Sequence, residues 1–248
     1  MKRSWKLKVR RAHRWIAMIV GVQVLAWIVG GLYFSIIPIE TIRGEHLLAS
    51  ATELDPAALQ HLSMPAQWEV GDLPILNATI ANDPDGPLLL VTTRDGIVPV
   101  DLTTGQRRPP LAADQAQAIA VRRFIPSANV VSVERLTAVA PDHEYRGRPL
   151  PAWQVRFDHD SGARVYVSET TGQVTALRTD YWRVFDFLWM LHVMDYDTLD
   201  NFNHWLLTLA AALALIAAAA GVATWWTTTP LWRRLSSGRK RRQPRSAV

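Results

Sequence analysis

WIAMIVGVQVLAWIVGGLYFSIIPI, residues 15–39, contains no aspartate, glutamate, lysine or arginine in 25 consecutive positions. A second uncharged stretch, NFNHWLLTLAAALALIAAAAGVATWWTTTPLW, covers residues 201–232. Because a helix rises about 1.5 Å per residue, roughly 20 apolar residues cross a hydrocarbon layer of about 30 Å. A soluble helix this long would have a polar face, and neither stretch has one. We therefore predict two transmembrane helices, at residues 15–39 and 201–229.

The first helix is too long for the apolar part of a cleaved signal peptide, which spans about 7–15 residues. No small-x-small cleavage site follows it before the polar chain begins. We therefore interpret it as a retained signal anchor.

The basic residues predict the orientation of both helices. The tails, residues 1–14 and 230–248, hold seven lysines or arginines each and no acid, and the chain between them holds 13 basic and 22 acidic residues. Under the positive-inside rule both termini are cytoplasmic and the central segment is periplasmic, as in a two-helix protein of the bacterial inner membrane. Since topology accounts for the basic residues, the net charge of +5 does not indicate nucleic-acid binding.

The central segment has the alternation and turn signals of an α+β domain. A helix is predicted at residues 54–62, with Asp55 as its N-cap, and a second at residues 115–124, with Asp114 as its N-cap. Strands are predicted at residues 75–80, 88–92, 97–102, 130–138, 152–158 and 163–168. Turn sequences such as Asp95-Gly96 separate them.

Two similar phrases suggest that the domain is duplicated. Val98-Pro-Val-Asp-Leu-Thr-Thr-Gly-Gln106 and Val165-Tyr-Val-Ser-Glu-Thr-Thr-Gly-Gln173 each follow a helix and several strands in the predicted order. This spacing predicts two copies of one helix-plus-antiparallel-sheet unit, at residues 40–110 and 111–180. Residues 181–200 then read as an amphipathic segment at the membrane interface.

The second copy resembles a PepSY domain, on its Ala-rich helix, Trp153-Gln-Val-Arg-Phe157 and Thr170-Thr-Gly-Gln-Val174, and the first copy resembles a degenerate one. The segments at residues 12–21, 188–196 and 201–205 are similar to the membrane segments of PepSY-associated transmembrane proteins. The resemblance implies a fold in which two transmembrane helices flank a periplasmic tandem PepSY module.

No phosphate loop, zinc motif or nucleophile elbow is present, and cysteine is absent, so we predict no catalytic residue and no metal site. Three histidines are candidate ligands of a haem b, because neutral imidazole binds iron axially: His13, His192 and His204. About 30 Å of bilayer would separate His13 from His204, so these two cannot share one iron. A haem would need a second copy of the chain or another protein.

The leading hypothesis is a binding or regulatory module that the lipid bilayer anchors and that acts with a protein partner or as a homodimer. The resemblance suggests a role accessory to the acquisition of iron or another metal. Two alternatives stay open. One is a haem-containing electron-transfer subunit of a ferric-chelate reductase, and the other is an inhibitor or regulator of a secreted peptidase.

Overall fold

The computed structural model describes residues 2–50, 69–70, 74–83 and 86–228. They form two compact units. The first unit contains the described residues within Met1–Gly31, Met190–Tyr196 and Asp200–Val248, and the second contains those within Leu32–Trp189 and Asp197–Leu199. The predicted helix at residues 54–62 lies outside the described residues.

Two long helices dominate the first unit. Helix α1 is Lys2–Ile36 and the last helix, α5, is Trp205–Thr228. Their apolar parts, Arg14–Ile36 and Trp205–Trp226, have mean hydropathies of 2.0 and 2.4 and are almost wholly unburied within the protein. A helix that is apolar on every side and unburied needs a lipid environment, as the two uncharged stretches predicted. Helix α1 also begins well before residue 15, because its basic first turns continue the same helix.

The second unit contains two antiparallel sheets. Strands β1 (Asn77–Asp83), β2 (Gly86–Thr93) and β3 (Gly96–Asp101) form one sheet in that order. Strands β4 (Val130–Leu136), β5 (Ala152–Phe157), β6 (Arg164–Ser168) and β7 (Val174–Arg178) form the other, again in chain order. The α+β class is therefore confirmed. Strand β7 was not among the strands predicted from the sequence.

Helices complete this unit. After α1 come α2 (Ile39–Arg43) and a short 3-10 helix (Glu45–Leu47). Helix α3 is Ala113–Arg123, and α4 is Asp180–Val193. The predicted cap of α3 was wrong: its N-cap residue is Ala112, whose N–H donates to Gln115 Oε1 over 3.0 Å, and Asp114 lies inside the first turn. Local propensity favoured aspartate at the cap, but the helix begins before that residue.

Side chains on the two faces of the four-stranded sheet form separate apolar clusters. On one face α3 packs through Ala116 and Ile119 against Val155 and Val165. On the other face the loop after β4 places Tyr145 over Tyr166, with ring centroids 4.4 Å apart. Both faces of β5 and β6 are thus covered and these two strands are mostly buried, whereas β4, at one edge of the sheet, is partly exposed.

The two turns with the repeated phrase have the same hydrogen bonds. In each turn the N–H of the first residue is donated to the carbonyl of the glutamine five positions later: Asp101 to Gln106 O, and Ser168 to Gln173 O. The side chain of the same first residue accepts the N–H of the second threonine, Thr104 or Thr171. The backbone bridge Val100↔Arg107 corresponds in position to the pair Val167↔Val174. Duplication of the whole unit stays a prediction.

Candidate functional site

A cleft of about 610 Å³ opens on the second unit, between the end of the β2–β3 hairpin and the turn after β6. Its wall includes two acids and one base, Glu69, Asp95 and Arg107. Ile97 and Leu150 add apolar surface. A concave site with an apolar wall and a few charged groups suits a polar ligand or a segment of another protein.

The polar wall of this cleft is pre-organised by internal hydrogen bonds. Glu69 Oε2 accepts the N–H of Arg107 over 3.1 Å. The Thr93 hydroxyl donates to Gly96 O over 3.0 Å, and Ser168 Oγ accepts the N–H of Thr171 over 3.1 Å. These bonds fix the loops around the cleft, so a ligand would meet a wall that is largely ordered before it binds.

A network of charged side chains lies at a different place in this unit, centred on Glu144. Its carboxylate accepts from Arg164 and Arg183, both over 2.9 Å, and from the hydroxyl of Tyr166 over 2.5 Å. Only 11% of the Glu144 side chain is exposed. Arg183 belongs to α4 and Arg164 to β6, so the carboxylate joins this helix to the sheet.

Burial alone would raise the pKa of Glu144. The hydrogen bond from Tyr166 and the charges of Arg183 and Arg164 outweigh burial, and they hold this pKa below its ordinary value. Burial, and next the hydrogen bond to Glu144, raise the pKa of Tyr166. Glu144 is therefore a carboxylate and Tyr166 a neutral phenol at neutral pH, and the pair has no proton to exchange in that range.

Two further contacts attach α4 to the same region. Arg146 donates to both oxygens of Asp186, over 2.6 and 2.9 Å. The guanidinium of Arg178 lies 3.7 Å from the ring centre of Trp182, and burial lowers the pKa of Arg178 to about 10. These ionisable groups have partners that fix α4, which indicates a structural role for the network. Sequence reasoning missed it, because no local pattern marks Glu144.

In the first unit, three side chains bind the last carbonyls of α4. Gln23 Nε2 donates to Leu191 O and Trp27 Nε1 donates to His192 O, each over 2.9 Å. His204 Nε2 lies 2.8 Å from Val193 O. The last carbonyls of a helix have no partner within the helix, and in lipid they must be satisfied by other protein groups.

This arrangement explains why a glutamine lies within the apolar stretch of α1. Gln23 lies 13 positions before the end of that stretch at Ile36, so in a membrane its side chain would be at a depth that excludes water. A side-chain amide at that depth is costly unless another polar group of the protein forms a hydrogen bond with it. The isolated glutamine in an uncharged run was the signal in the sequence for this contact.

The structure brings together two of the three histidines proposed as haem ligands. His204 lies against Val193, next to His192, whose ring centroid is 6.1 Å from that of Trp27. His13 lies on α1, 14 positions before Trp27, about 21 Å along the helix axis. The side chain of His13 is outside the described part of the structure.

Both ring nitrogens of His204 take part in hydrogen bonds. A bond to the carbonyl of Val193 requires a proton on Nε2, and Nδ1 then accepts the N–H of Leu207 over 3.4 Å, at the start of α5. Iron would need Nδ1 as a free donor, which requires the loss of the N–H bond from Leu207, while the N–H on Nε2 could keep its bond to the carbonyl. The role of His204 as a haem ligand stays a prediction. Among the described residues no three His, Asp or Glu side chains form a possible metal site.

The fold and these sites define a class: a membrane protein with two apolar helices and an α+β module. The sequence profile described as the PepSY-associated TM region matches residues 10–247. The chain therefore belongs to the PepSY-associated transmembrane family, as its membrane segments and its Thr-Thr-Gly-Gln turns suggested. No curated protein and no solved structure matched the chain.

Proposed function

We propose that the chain is a binding or regulatory module that its two helices anchor in the bacterial inner membrane, with both termini cytoplasmic and the module periplasmic. The orientation rests on seven basic residues in each tail. The module binds a segment of a partner protein in the cleft of the second unit. A role accessory to the uptake of iron or another metal rests on the resemblance to PepSY-associated proteins.

The observation that carries this proposal is the cleft, about 610 Å³ in volume with an ordered polar wall. Its charged residues, Glu69, Asp95 and Arg107, can pair with both signs of charge on a peptide. In contrast, the buried ionisable groups around Glu144 are paired with one another and attach α4 to the sheet. The charged groups that a ligand can reach thus lie in the cleft, whereas the buried ones already have partners. This favours recognition of a ligand over proton-transfer chemistry, which needs a titrating group that can reach a substrate.

Site-specific photo-crosslinking in the full-length protein tests the proposal. A benzophenone amino acid replaces Ile97, which lines the cleft and is 40% exposed. The matched control replaces Val131 of β4, which is 56% exposed and does not line the cleft. We expect a discrete protein adduct from position 97 only. Equal adducts at both positions, or none from position 97 in cells grown with and without iron, contradict a binding role for the cleft.

The electron-transfer alternative requires a haem, and an iron bound to His204 would have to replace the bond between Nδ1 and the N–H of Leu207. An absorption spectrum of the detergent-purified protein separates the two functions: a Soret band that shifts on reduction with dithionite supports the reductase, and its absence supports the binding module. The peptidase alternative predicts that the full-length protein in nanodiscs slows a secreted peptidase. In that case the adduct from position 97 is the peptidase itself.

A further inference from the structure

The two membrane helices are separated by an apolar groove of about 490 Å³ in the first unit. One wall is the part of α1 from Met18 to Trp27, and the other is the part of α5 from Leu206 to Ala214. Met194, just after α4, also lines the groove. Lipid-facing helices that leave such a space between them must have it filled by apolar atoms, since an empty space loses packing contacts.

We propose that this groove binds one acyl chain of a phospholipid from the leaflet that contains the start of α5. The chemistry of the wall is the first argument. The polar N–H groups near the groove, on Gln23 and Trp27, are donated to carbonyls of α4. The rest of the wall is hydrocarbon and thioether, which binds a chain without polar atoms.

The length of the groove is the second argument. Nine residue steps separate Met18 from Trp27, and eight separate Leu206 from Ala214, so the walls are about 13 and 12 Å long. One leaflet of a hydrocarbon core of about 30 Å is about 15 Å deep. The groove therefore matches the depth over which a single lipid tail extends.

Small residues of α5 keep the groove open. Ala210 and Ala214 line it one helical turn apart and are half-buried, whereas Ala212, on the opposite side of α5, is exposed. A phenylalanine at position 210 or 214 would place a ring in the space of the acyl chain. The same substitution at position 212 would face bulk lipid, so it is a matched control.

Native mass spectrometry of the full-length protein, after extensive detergent washing, measures the phospholipid that each chain retains. We expect one phospholipid on the wild type and on Ala212→Phe, and its loss in Ala210→Phe and Ala214→Phe. No retained lipid on the wild type, equal retention in all variants, or a lipid-free dimer overturns the proposal.

A second measurement applies if the groove variants do not fold. Wild-type protein is reconstituted with a phospholipid that carries a photoactivatable group in its acyl chain. Adducts concentrated at Val24 and Leu213, which line the groove and are half-buried, support the site. Adducts equally frequent at Leu215, which is 71% exposed and outside the groove, show only bulk lipid contact and overturn it.

Discussion

Replacing Glu144 with glutamine tests whether one buried carboxylate holds α4 against the sheet. The substitution keeps the size of the side chain but removes the charge that faces Arg164 and Arg183. Removing one partner of a buried ion pair costs about 3–5 kcal/mol, because the other charge stays buried without compensation. Here the arginines are 33% and 30% exposed, so water compensates them in part.

We therefore expect Glu144→Gln to destabilise the second unit by about 2 kcal/mol, below the range for a fully buried pair. For a unit of this size that loss lowers the melting temperature by about 4–8 °C. The control is Glu134→Gln on β4, because Glu134 is exposed and its change should stay within about 0.5 kcal/mol.

The assay is thermal unfolding of the full-length protein in nanodiscs, combined with hydrogen exchange of the amides of α4. Faster exchange in residues 180–189 of Glu144→Gln would show that the helix is released locally. Identical melting temperatures and identical exchange in Glu144→Gln and Glu134→Gln would refute the reasoning.

The same variant has a defined pH dependence. The pKa of Glu144 is lower in the folded protein than in the unfolded chain, so its contribution is complete above the ordinary pKa of glutamate, about 4.3. That contribution is lost as pH falls through the lower, folded-state pKa. Wild-type stability should therefore fall more steeply below pH 4.3 than that of Glu144→Gln, and the two melting curves should converge. Parallel pH profiles would show that the carboxylate is not held in its charged form.

Two further substitutions test other contacts. Trp27→Phe keeps an aromatic ring but removes the N–H that is donated to His192 O. We expect the free energy of unfolding, measured with a denaturing detergent, to fall by about 1–3 kcal/mol. An unchanged free energy of unfolding would mean that this carbonyl does not lie in a low-dielectric environment. Gly44→Ala should lower the melting temperature more than Gly147→Ala does. Both glycines have φ near +70°, so both substitutions strain the backbone, but only at Gly44 would the new Cβ lie 2.7 Å from Leu177. Equal losses would mean that the backbone strain, and not the contact with Leu177, sets the cost.

Sequence reasoning predicted the parts of this protein that depend on neighbouring residues. The two uncharged stretches predicted α1 and α5 because a membrane span is a property of one continuous segment. Asp95-Gly96 predicted a hairpin, and β2 and β3 form one there, with Gly96 at the start of β3 in a positive-φ conformation. The strand predictions agree with β1 to β6 within a few residues at each end.

Contacts between distant residues were not predictable in the same way. Gln23 meets Leu191 across 168 positions, and Arg183 meets Glu144 across 39. Periodicity marks which face of an element is apolar, but it does not identify the polar group that will lie opposite. His204 shows the consequence: nothing in its local sequence predicted that its ring would lie against the carbonyl of Val193, 11 positions earlier.

Cysteine labelling tests the central claim most directly, because the native chain contains no cysteine and a single introduced thiol gives the only signal. Thr137→Cys places a thiol at an exposed position just after β4 in the module, and Ser246→Cys places one in the basic C-terminal tail. In spheroplasts, a membrane-impermeant maleimide should label position 137 at once and position 246 only after the membrane is permeabilised. Labelling of position 246 in intact spheroplasts, with position 137 protected, would contradict a periplasmic module held by two membrane helices.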